Sequence, residues 1–455
     1  WIDSLPPALV WSEMTRAYEQ GARTFWIANV GDLKNTELST EFFLDLAWHA
    51  DRTTPDAPAE HLRAVATRDF GADRAAKIAD LWTRHQTLAF ARRPEHLAWH
   101  LPRNPYQPTT LNDAEIHARL ADYAALSRDV EAVSTSLPAS AQDAFFQLVA
   151  YPIGSAASAN ARYFQAELAR RLKVRGDDAA ASAAYAESEA AAGRIAELTR
   201  HYNEDVAGGK WRHVVMANGL SPRQWPSFQV PPILPLDDAD ALAAIHKQEA
   251  ARAAATPPAP SPLVQPADSR PGDFVERNGV VSILAGNFSS RTNLPSGAGW
   301  RVIPHLGRSG SAVTVLPSTA DLGAGPAPRL SYRFHVATAS ETPPVVHVRL
   351  LPTHPITAGQ GLRFALAIDD GTPLSLAVTS GFDSKSDAWK QRVLANATDA
   401  ELRLHAPLAR GWHTLHLVAV DAGVVVDKIV LDLGGLQPSY DGPPETRLPL
   451  AGSTQ

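Results

Sequence analysis

The spacing of apolar and polar residues divides the chain into regions of different periodicity. Thr24–Ala28 is an almost unbroken apolar run that leads into a polar turn, Asn29–Asp32. Such a run is typical of a buried parallel strand. A helix capped by Ser39 or Thr40 is predicted next, and its core face carries Phe42, Phe43, Leu46 and Ala47. Residues 1–54 therefore predict one strand–helix unit of a barrel.

Helical spacing dominates residues 55–208, where we predict a helical bundle. Ala57–Phe90 is periodic and is broken at Gly71. Asn112 caps a further helix with an apolar stripe of Ile116, Leu120, Tyr123, Leu126, Val130 and Val133. Two long helices are predicted after it, over about Ser140–Lys173 and from Asp177 or Asp178 to Tyr202.

The periodicity changes twice after the helices. Residues 209–270 are irregular and rich in proline and alanine, which predicts an extended linker around one short helical segment, Asp240–Ala255. Residues 271–445 then show short alternating runs about every ten residues, which predicts an all-β sandwich of the jelly-roll type. The ten predicted strands are Val280–Leu284, Trp300–Ile303, Ala312–Leu316, Leu330–Val336, Val345–Leu351, Leu362–Ile368, Leu374–Val378, Leu402–His405, Trp412–Val420 and Val424–Leu431.

Composition excludes several classes of function. The chain of 455 residues has no cysteine, so disulfides, thiolate metal sites and cysteine nucleophiles are excluded. The net charge of −6 is not gathered into blocks, and no apolar run is long enough to span a membrane. We therefore expect neither nucleic-acid nor membrane partners. His305, His354 and His413 lack the spacing of metal ligands, and we expect no metal and no cofactor.

Several collinear strings resemble glycoside hydrolase family 115, the α-glucuronidases that remove (4-O-methyl-)glucuronic acid from xylan side chains. Trp26–Lys34 and Phe42–Trp48 look like the last strand and helix of that family's catalytic (β/α)8 barrel. The remaining strings that resemble its later domains are Arg92–Glu95, Phe145–Phe164, Gly209–Val215, Gly297–Pro317, Gly361–Asp370 and Gly411–Gly435. The resemblance rests on the order of these strings rather than on any one of them.

The resemblance implies an inverting hydrolase of glucuronoxylan or a related polysaccharide decorated with glucuronic acid. Inversion requires two carboxyl groups about 6.5–9.5 Å apart. In the family these act from strands that precede the matched region, so we expect no catalytic residue on this chain, which alone should be inactive. We expect the chain to be the C-terminal portion of a secreted or periplasmic enzyme, although no signal peptide is visible. An incomplete gene record is the interpretation we favour over a biological truncation.

Asn29 is the strongest candidate for contact with substrate. It follows the predicted strand at its carboxyl end, the face that holds the active sites of barrels, and its amide can both donate and accept hydrogen bonds. The resemblance places the matching asparagine in the glucuronate pocket. Asp32 and Lys34 lie in the same loop as weaker substrate-binding candidates. The structural alternatives are a turn-forming Asn29 and a solvated loop for the two charged residues.

The predicted sandwich offers a second class of function, non-catalytic polysaccharide binding or scaffolding. Its candidate sugar-binding aromatics are Trp300, Trp389, Trp412 and Tyr440, which could equally be core residues. Leu284 and Gly286 occupy positions where the family carries carboxylates, which weakens a calcium site there. The resemblance further implies a homodimer assisted by this domain. Asp369-Asp370 precedes Gly371 and is predicted to form a hairpin turn rather than a catalytic pair.

Overall fold

The computed structural model of the protein describes residues 1–31, 33–98, 101, 105–216, 230–253, 261–323, 326–355, 361–378 and 386–450. Within these ranges the α-helices are α1 (Pro7–Glu19), α2 (Glu37–Trp48), α3 (Ala57–Phe70), α4 (Ala72–Ala91), α5 (Asp113–Ser134), α6 (Ala139–Phe145), α7 (Tyr151–Val174), α8 (Asp178–Glu204), α9 (Ala239–Ala253) and α10 (Asp387–Ala395). None of the helices in these ranges combines the length and the apolar character needed to cross a membrane.

The long helices begin and end where local signals place them. Gly71, with a φ of 90°, separates α3 from α4. Asn112 and Glu115 form a reciprocal capping box, in which the Glu115 N–H donates to Asn112 Oδ1 over 2.9 Å. Asp177 caps α8 by accepting from the Ala180 N–H. One π-helical turn, Phe146–Ala150, joins α6 to α7 as a continuous helix. The predicted helices of this region are confirmed.

The C-terminal region consists of two sheets. Its strands are β1 (Phe274–Val275), β2 (Val280–Leu284), β3 (Ser290–Thr292), β4 (Gly299–Pro304), β5 (Ser311–Leu316), β6 (Arg329–Val336), β7 (Val345–Leu350), β8 (Arg363–Ile368), β9 (Leu374–Ala377), β10 (Thr398–Arg403), β11 (Gly411–Ala419) and β12 (Val425–Asp432). One sheet has the order β1-β6-β11-β8-β9 with β3 beside β6, and the other has β10-β7-β12-β5-β4 with β2 beside β12.

Side chains from both sheets form one apolar core, as the predicted sandwich requires. Tyr332 and Leu415 reach it from the first sheet, and Val348 and Ile429 reach it from the second. All of the pairs except parallel β1–β6 are antiparallel. All ten predicted strands are present, although β10 begins four residues before the predicted start at Leu402.

The predicted strand Thr24–Ala28 is wrong for this structure, which leaves these residues irregular. No strand in the described part of the chain lies beside them to accept and donate backbone hydrogen bonds, and a strand requires such a neighbour. The helix after it is confirmed, but α2 begins at Glu37, before the predicted caps. Ser39 lies inside the helix, and its hydroxyl donates to Asp3 instead.

The N-terminal helices are packed against the C-terminal sheets. Trp11 of α1 and Phe42 of α2 are 2% and 1% exposed. They share one apolar core with Ile303, Leu306 and Val425, which belong to the sheet region. The backbone N–H of Ser318, just after β5, also donates to Glu19 Oε2 at the end of α1, over 2.6 Å. The first and last thirds of the chain are thus one packed unit.

Two side chains of the sheet region cap the C-terminal end of α4. Asn396 Nδ2 donates to the Phe90 carbonyl over 2.8 Å, and the Tyr440 hydroxyl donates to the Ala91 carbonyl over 2.7 Å. The last carbonyls of a helix have no partner within the helix, so these bonds satisfy groups that burial would otherwise leave unpaired. Arg308 lies 3.7 Å from the centre of the Tyr440 ring and donates to its carbonyl, which fixes this contact.

Asp3 and His85 join the start of the chain to α2 and α4. The Asp3 carboxylate accepts hydrogen bonds from both the backbone N–H and the hydroxyl of Ser39. His85 is 2% exposed, and its Nε2 lies 3.0 Å from the Asp3 carbonyl. Burial lowers the pKa of His85 to about 4, because the imidazolium would lose its hydration. A neutral His85 that donates to Asp3 therefore belongs to the folded state.

Replacing Trp11 should destabilise the packed unit much more than replacing an exposed tryptophan. Trp11→Ala removes a buried indole and its hydrogen bond to Thr53, so we expect the free energy of unfolding to fall by about 3–5 kcal/mol. Trp48 on α2 is 83% exposed, and Trp48→Ala should change it by less than about 0.5 kcal/mol. Urea unfolding followed by circular dichroism measures both. Equal effects of the two substitutions would contradict the packing described.

Acid should weaken the fold partly through His85. Between pH 6.5 and about 4 the unfolded chain binds a proton at His85 that the folded chain does not, so the free energy of unfolding falls as the pH falls through this range. The contribution is at most about 1.4 kcal/mol per pH unit. His85→Gln keeps a donor for Asp3 and should flatten this slope, whereas His246→Gln, on the exposed face of α9, should not. Identical slopes in all three proteins would overturn the assignment.

Candidate functional site

Residues 24–31 lie on the surface with one side packed and one side open. Trp26 is half-buried, and its ring lies 6.5 Å from the Tyr18 ring of α1 and 5.9 Å from the Phe43 ring of α2. The flanking Phe25 and Ile27 are 77% and 75% exposed. The other residues of the segment, among them Thr24, Ala28 and Asn29, are exposed as well. Trp26 therefore holds the segment against the helices, and the remaining side chains are uncovered.

The predicted site residues that the structure describes differ in solvent exposure and in their contacts. Asn29 is exposed and follows the uncovered side chains of Phe25 and Ile27. Asp32 lies outside the described residues. Lys34 lies in a short 3-10 turn, Leu33–Thr36, and its ammonium donates to Glu37 Oε1 over 2.6 Å. The roles of Asn29, Asp32 and Lys34 in binding substrate stay predictions.

A remote segment, Val206–Val215, meets this turn. Trp211 lies 4.5 Å from the Lys34 ammonium and 4.7 Å from the Lys210 ammonium, each measured to its ring centre. An indole face attracts cations through its quadrupole, so both contacts are favourable. The contact between Lys34 and Trp211 could not be predicted from sequence patterns, because no local periodicity links residues so far apart in the chain. The sequence offered one signal for this segment, namely that the string Gly209–Val215 resembles the family.

The backbone of Val206–Val215 is tightly constrained. Asn203 at the end of α8 donates to the Val215 carbonyl over 2.6 Å and accepts from the Val215 N–H over 3.0 Å, so it closes the loop at its base. Ala207 and His213 have φ values of 51° and 69°, in the left-handed region that side chains with a Cβ disfavour. Each such residue costs on the order of 1–3 kcal/mol, and strain of this kind is concentrated at functional sites.

No acid–base pair is assembled beside Asn29 from the described residues. Glu19 and Glu37 are the described carboxylates closest to Asn29 in the sequence, and both already accept hydrogen bonds from protein groups. Glu19 accepts from the Ser318 N–H, and Glu37 accepts from Lys34. Asp45 contacts the rings of His49 and His61 at 3.1 and 3.6 Å. These described carboxylates have protein partners and do not form the pair of carboxyl groups that a glycosidase requires.

The candidate aromatics of the sheet region are used for internal contacts. Trp300 is 1% exposed, so its candidacy as a sugar platform is wrong. The Arg333 guanidinium covers the Trp412 ring at 3.6 Å, and the Tyr440 ring lies under Arg308. The Trp389 ring packs 4.9 Å from the His354 ring. Each of the four is therefore buried or in contact with another side chain.

Polar residues of the sheet region also have structural partners. Asp369 has a φ of 52° in the turn between β8 and β9, and it accepts from His413 and the Thr414 N–H, as a hairpin residue would. A Cβ at Gly286 would lie 2.8 Å from the Ser311 hydroxyl, so a carboxylate side chain there would require that hydroxyl to move. In the described ranges, no three histidine or acidic side chains are grouped to hold a metal ion.

The fold resembles that of a solved structure described as a family GH115 4-O-methyl-α-glucuronidase with specificity for decorated arabinogalactans. The two share 26% sequence identity with a TM-score of 0.68, over 95% of this chain and 49% of that one. The chain thus spans about half the length of that structure. No curated protein sequence matches the chain.

Weaker likenesses involve carbohydrate-binding modules. They include the C-terminal CBM6 of a marine laminarinase from Zobellia galactanivorans, at 14% identity, and a family 35 carbohydrate binding module from Clostridium thermocellum, at 10%. These cover 34% and 33% of this chain and 98% and 96% of theirs, with TM-scores of 0.23 and 0.22. With TM-scores this low, these likenesses do not show what fold or function the sheet region has.

Family models match both ends of the chain. The model of glycosyl hydrolase family 115 matches residues 1–96, and the model of the glycosyl hydrolase family 115 C-terminal domain matches residues 273–445. Together the two ranges cover more than half of the chain. The chain therefore belongs to glycosyl hydrolase family 115.

Proposed function

We propose that the protein containing this chain is an α-glucuronidase that releases (4-O-methyl-)glucuronic acid from decorated xylan or arabinogalactan. Family membership and the glucuronidase relative support the reaction class. The single observation that carries the proposal for this chain is the uncovered face of residues 24–31. Phe25 and Ile27 are 77% and 75% exposed there, and Asn29 is exposed two residues after Ile27.

The open face suits the last strand of a barrel. A barrel strand turns one face to the surrounding helices and the other to the barrel interior. Trp26 already packs against α1 and α2, as the outer face of such a strand would. Phe25 and Ile27 would then fill the interior, and Asn29 would lie at the carboxyl end, where substrates bind.

In this proposal the chain contributes binding and support, while both catalytic carboxyl groups come from the rest of the barrel. One carboxylic acid protonates the glycosidic oxygen, and one carboxylate activates water on the opposite face of the sugar, which inverts the anomeric configuration. Asn29 holds the glucuronate by hydrogen bonds. The packed helices and sheets keep its loop in position.

The rival function, polysaccharide binding without hydrolysis, has less support. It requires exposed aromatic platforms or a cation site in the sheet region. The four aromatic candidates there are buried or in contact with other side chains. We therefore favour hydrolysis.

The reaction is tested by incubating the full-length gene product with 4-O-methylglucuronoxylan fragments and with decorated arabinogalactan. We expect release of the uronic acid, and proton NMR should first show the β-anomer, because an α-linkage is inverted. The chain of residues 1–455 alone should release none. An initial α-anomer would contradict inversion, and release by the isolated chain would contradict the proposed origin of the carboxyl groups.

Asn29→Ala in the full-length product should lower kcat/KM for glucuronoxylan fragments by about 10–100-fold. Removing a hydrogen bond to a charged group costs about 1.5–3 kcal/mol, which converts to that range. Thr24→Ala is the matched control, because Thr24 is exposed at the opposite, amino-terminal end of the same segment. Steady-state kinetics measure both variants. Loss of activity in the control alone would reverse the proposed orientation of the segment.

A further inference from the structure

Two ammonium groups meet at one indole next to the Asn29 loop. The Lys34 and Lys210 ammonium groups lie 4.5 and 4.7 Å from the centre of the Trp211 ring. Lys34 follows Asn29 by only five residues, whereas Lys210 and Trp211 come from the far end of the helical region. The fold therefore places the ammonium groups of Lys34 and Lys210 at the same indole ring, beside the turn that leads from the Asn29 loop into α2.

The two lysines differ in how their charges are balanced. Lys34 is 19% exposed and is paired with Glu37. Lys210 is exposed, and across the described ranges no carboxylate pairs with it. Arg212, next to Trp211, is also exposed without an ion pair to a described residue. A local excess of positive charge thus stands on a chain whose net charge is −6.

The contact between Lys34 and Trp211 can hold the Leu33–Thr36 turn in place, but this structural role does not explain why Lys210 contacts the same ring. One ammonium on the indole is enough to hold the turn against the loop, and a second like charge adds repulsion. Ala207 and His213, on either side of Lys210 in the sequence, have left-handed φ values of 51° and 69°. A bound anion would remove the repulsion, because it would be attracted to both ammonium groups.

We propose that Lys210, Lys34 and Trp211 form a subsite for the carboxylate of a uronic-acid residue in an acidic saccharide. The proposal rests on the function proposed above and extends it to the carboxylate of the substrate. Charge-assisted hydrogen bonds from ammonium groups to a carboxylate are short and strong. The indole provides an apolar wall that excludes water from one side of that interaction and can contact the C–H groups of a sugar ring.

The subsite is tested by ligand-observed NMR on the chain of residues 1–455, with methyl glucuronide as the probe and methyl glucoside as its uncharged analogue. We expect methyl glucuronide to bind more tightly than methyl glucoside. Lys210→Gln should weaken methyl glucuronide binding by about 3-fold or more and leave methyl glucoside unchanged. Lys210→Arg keeps the charge and should retain binding.

Lys247→Gln is the matched control, because Lys247 is an exposed lysine on α9. Lys210 is itself exposed, so its substitution should leave the melting temperature unchanged and the loss of binding can be assigned to the subsite. Equal affinity of Lys210→Gln and the unsubstituted chain for methyl glucuronide would overturn the proposal. An equal loss in Lys247→Gln would overturn it too, because the effect would then be one of overall charge.

The result is separable from the test of hydrolysis. Uronic-acid release by the full-length product together with an unaffected Lys210→Gln would reject the subsite and leave the enzyme function standing. Selective loss of methyl glucuronide binding in Lys210→Gln, without release by the full-length product, would reject hydrolysis and leave the subsite standing.

Discussion

The burial of α1 and α2 by the C-terminal sheets is the constraint on which the rest of the structure depends. Trp11 and Phe42 share one apolar core with Ile303, Leu306 and Val425 of the sheet region. Fully burying side chains of this size contributes about 1.5–3 kcal/mol each. The stable position of the first helices therefore depends in part on the folded sheet region.

That constraint determines where the candidate site lies. Residues 24–31 have no strand partner in the described structure and are positioned by Trp26, which packs against Tyr18 and Phe43. The turn after them is held by Lys34 against Trp211. A binding residue such as Asn29 acts well only when its loop is fixed to rigid elements. Helices α1 and α2 and the segment around Trp211 supply those elements here, and the sheet region supports them through the core that it shares with α1 and α2.

The sequence predicted well whatever depends on local pattern. The strand Val280–Leu284 is predicted with both ends correct, and the Asn112 cap is confirmed. Strands β1 and β3 were missed because two or three residues show no periodicity. Helix α10 was missed because it has no buried face to produce one.

The errors at the candidate site have a non-local origin. Thr24–Ala28 has the composition of a strand, but a strand forms only with a partner, which composition cannot supply. Trp300 was a plausible platform from its sequence, yet its neighbours in the fold bury it. The contacts of Lys34 and Lys210 with Trp211 are tertiary contacts. They depend on how the loop after α8 packs against the start of α2, which no local sequence pattern predicts.

Amide hydrogen exchange in an Ile303→Ala variant tests most directly whether the sheet region holds the helices that carry the site. Ile303 is fully buried in the core shared with Trp11 and Phe42. We predict faster exchange in α1, α2 and the turn Leu33–Thr36 as well as in β4 and β5, with α8 unchanged, because loosening one side of a shared core loosens the other. Faster exchange confined to β4 and β5 would contradict the account.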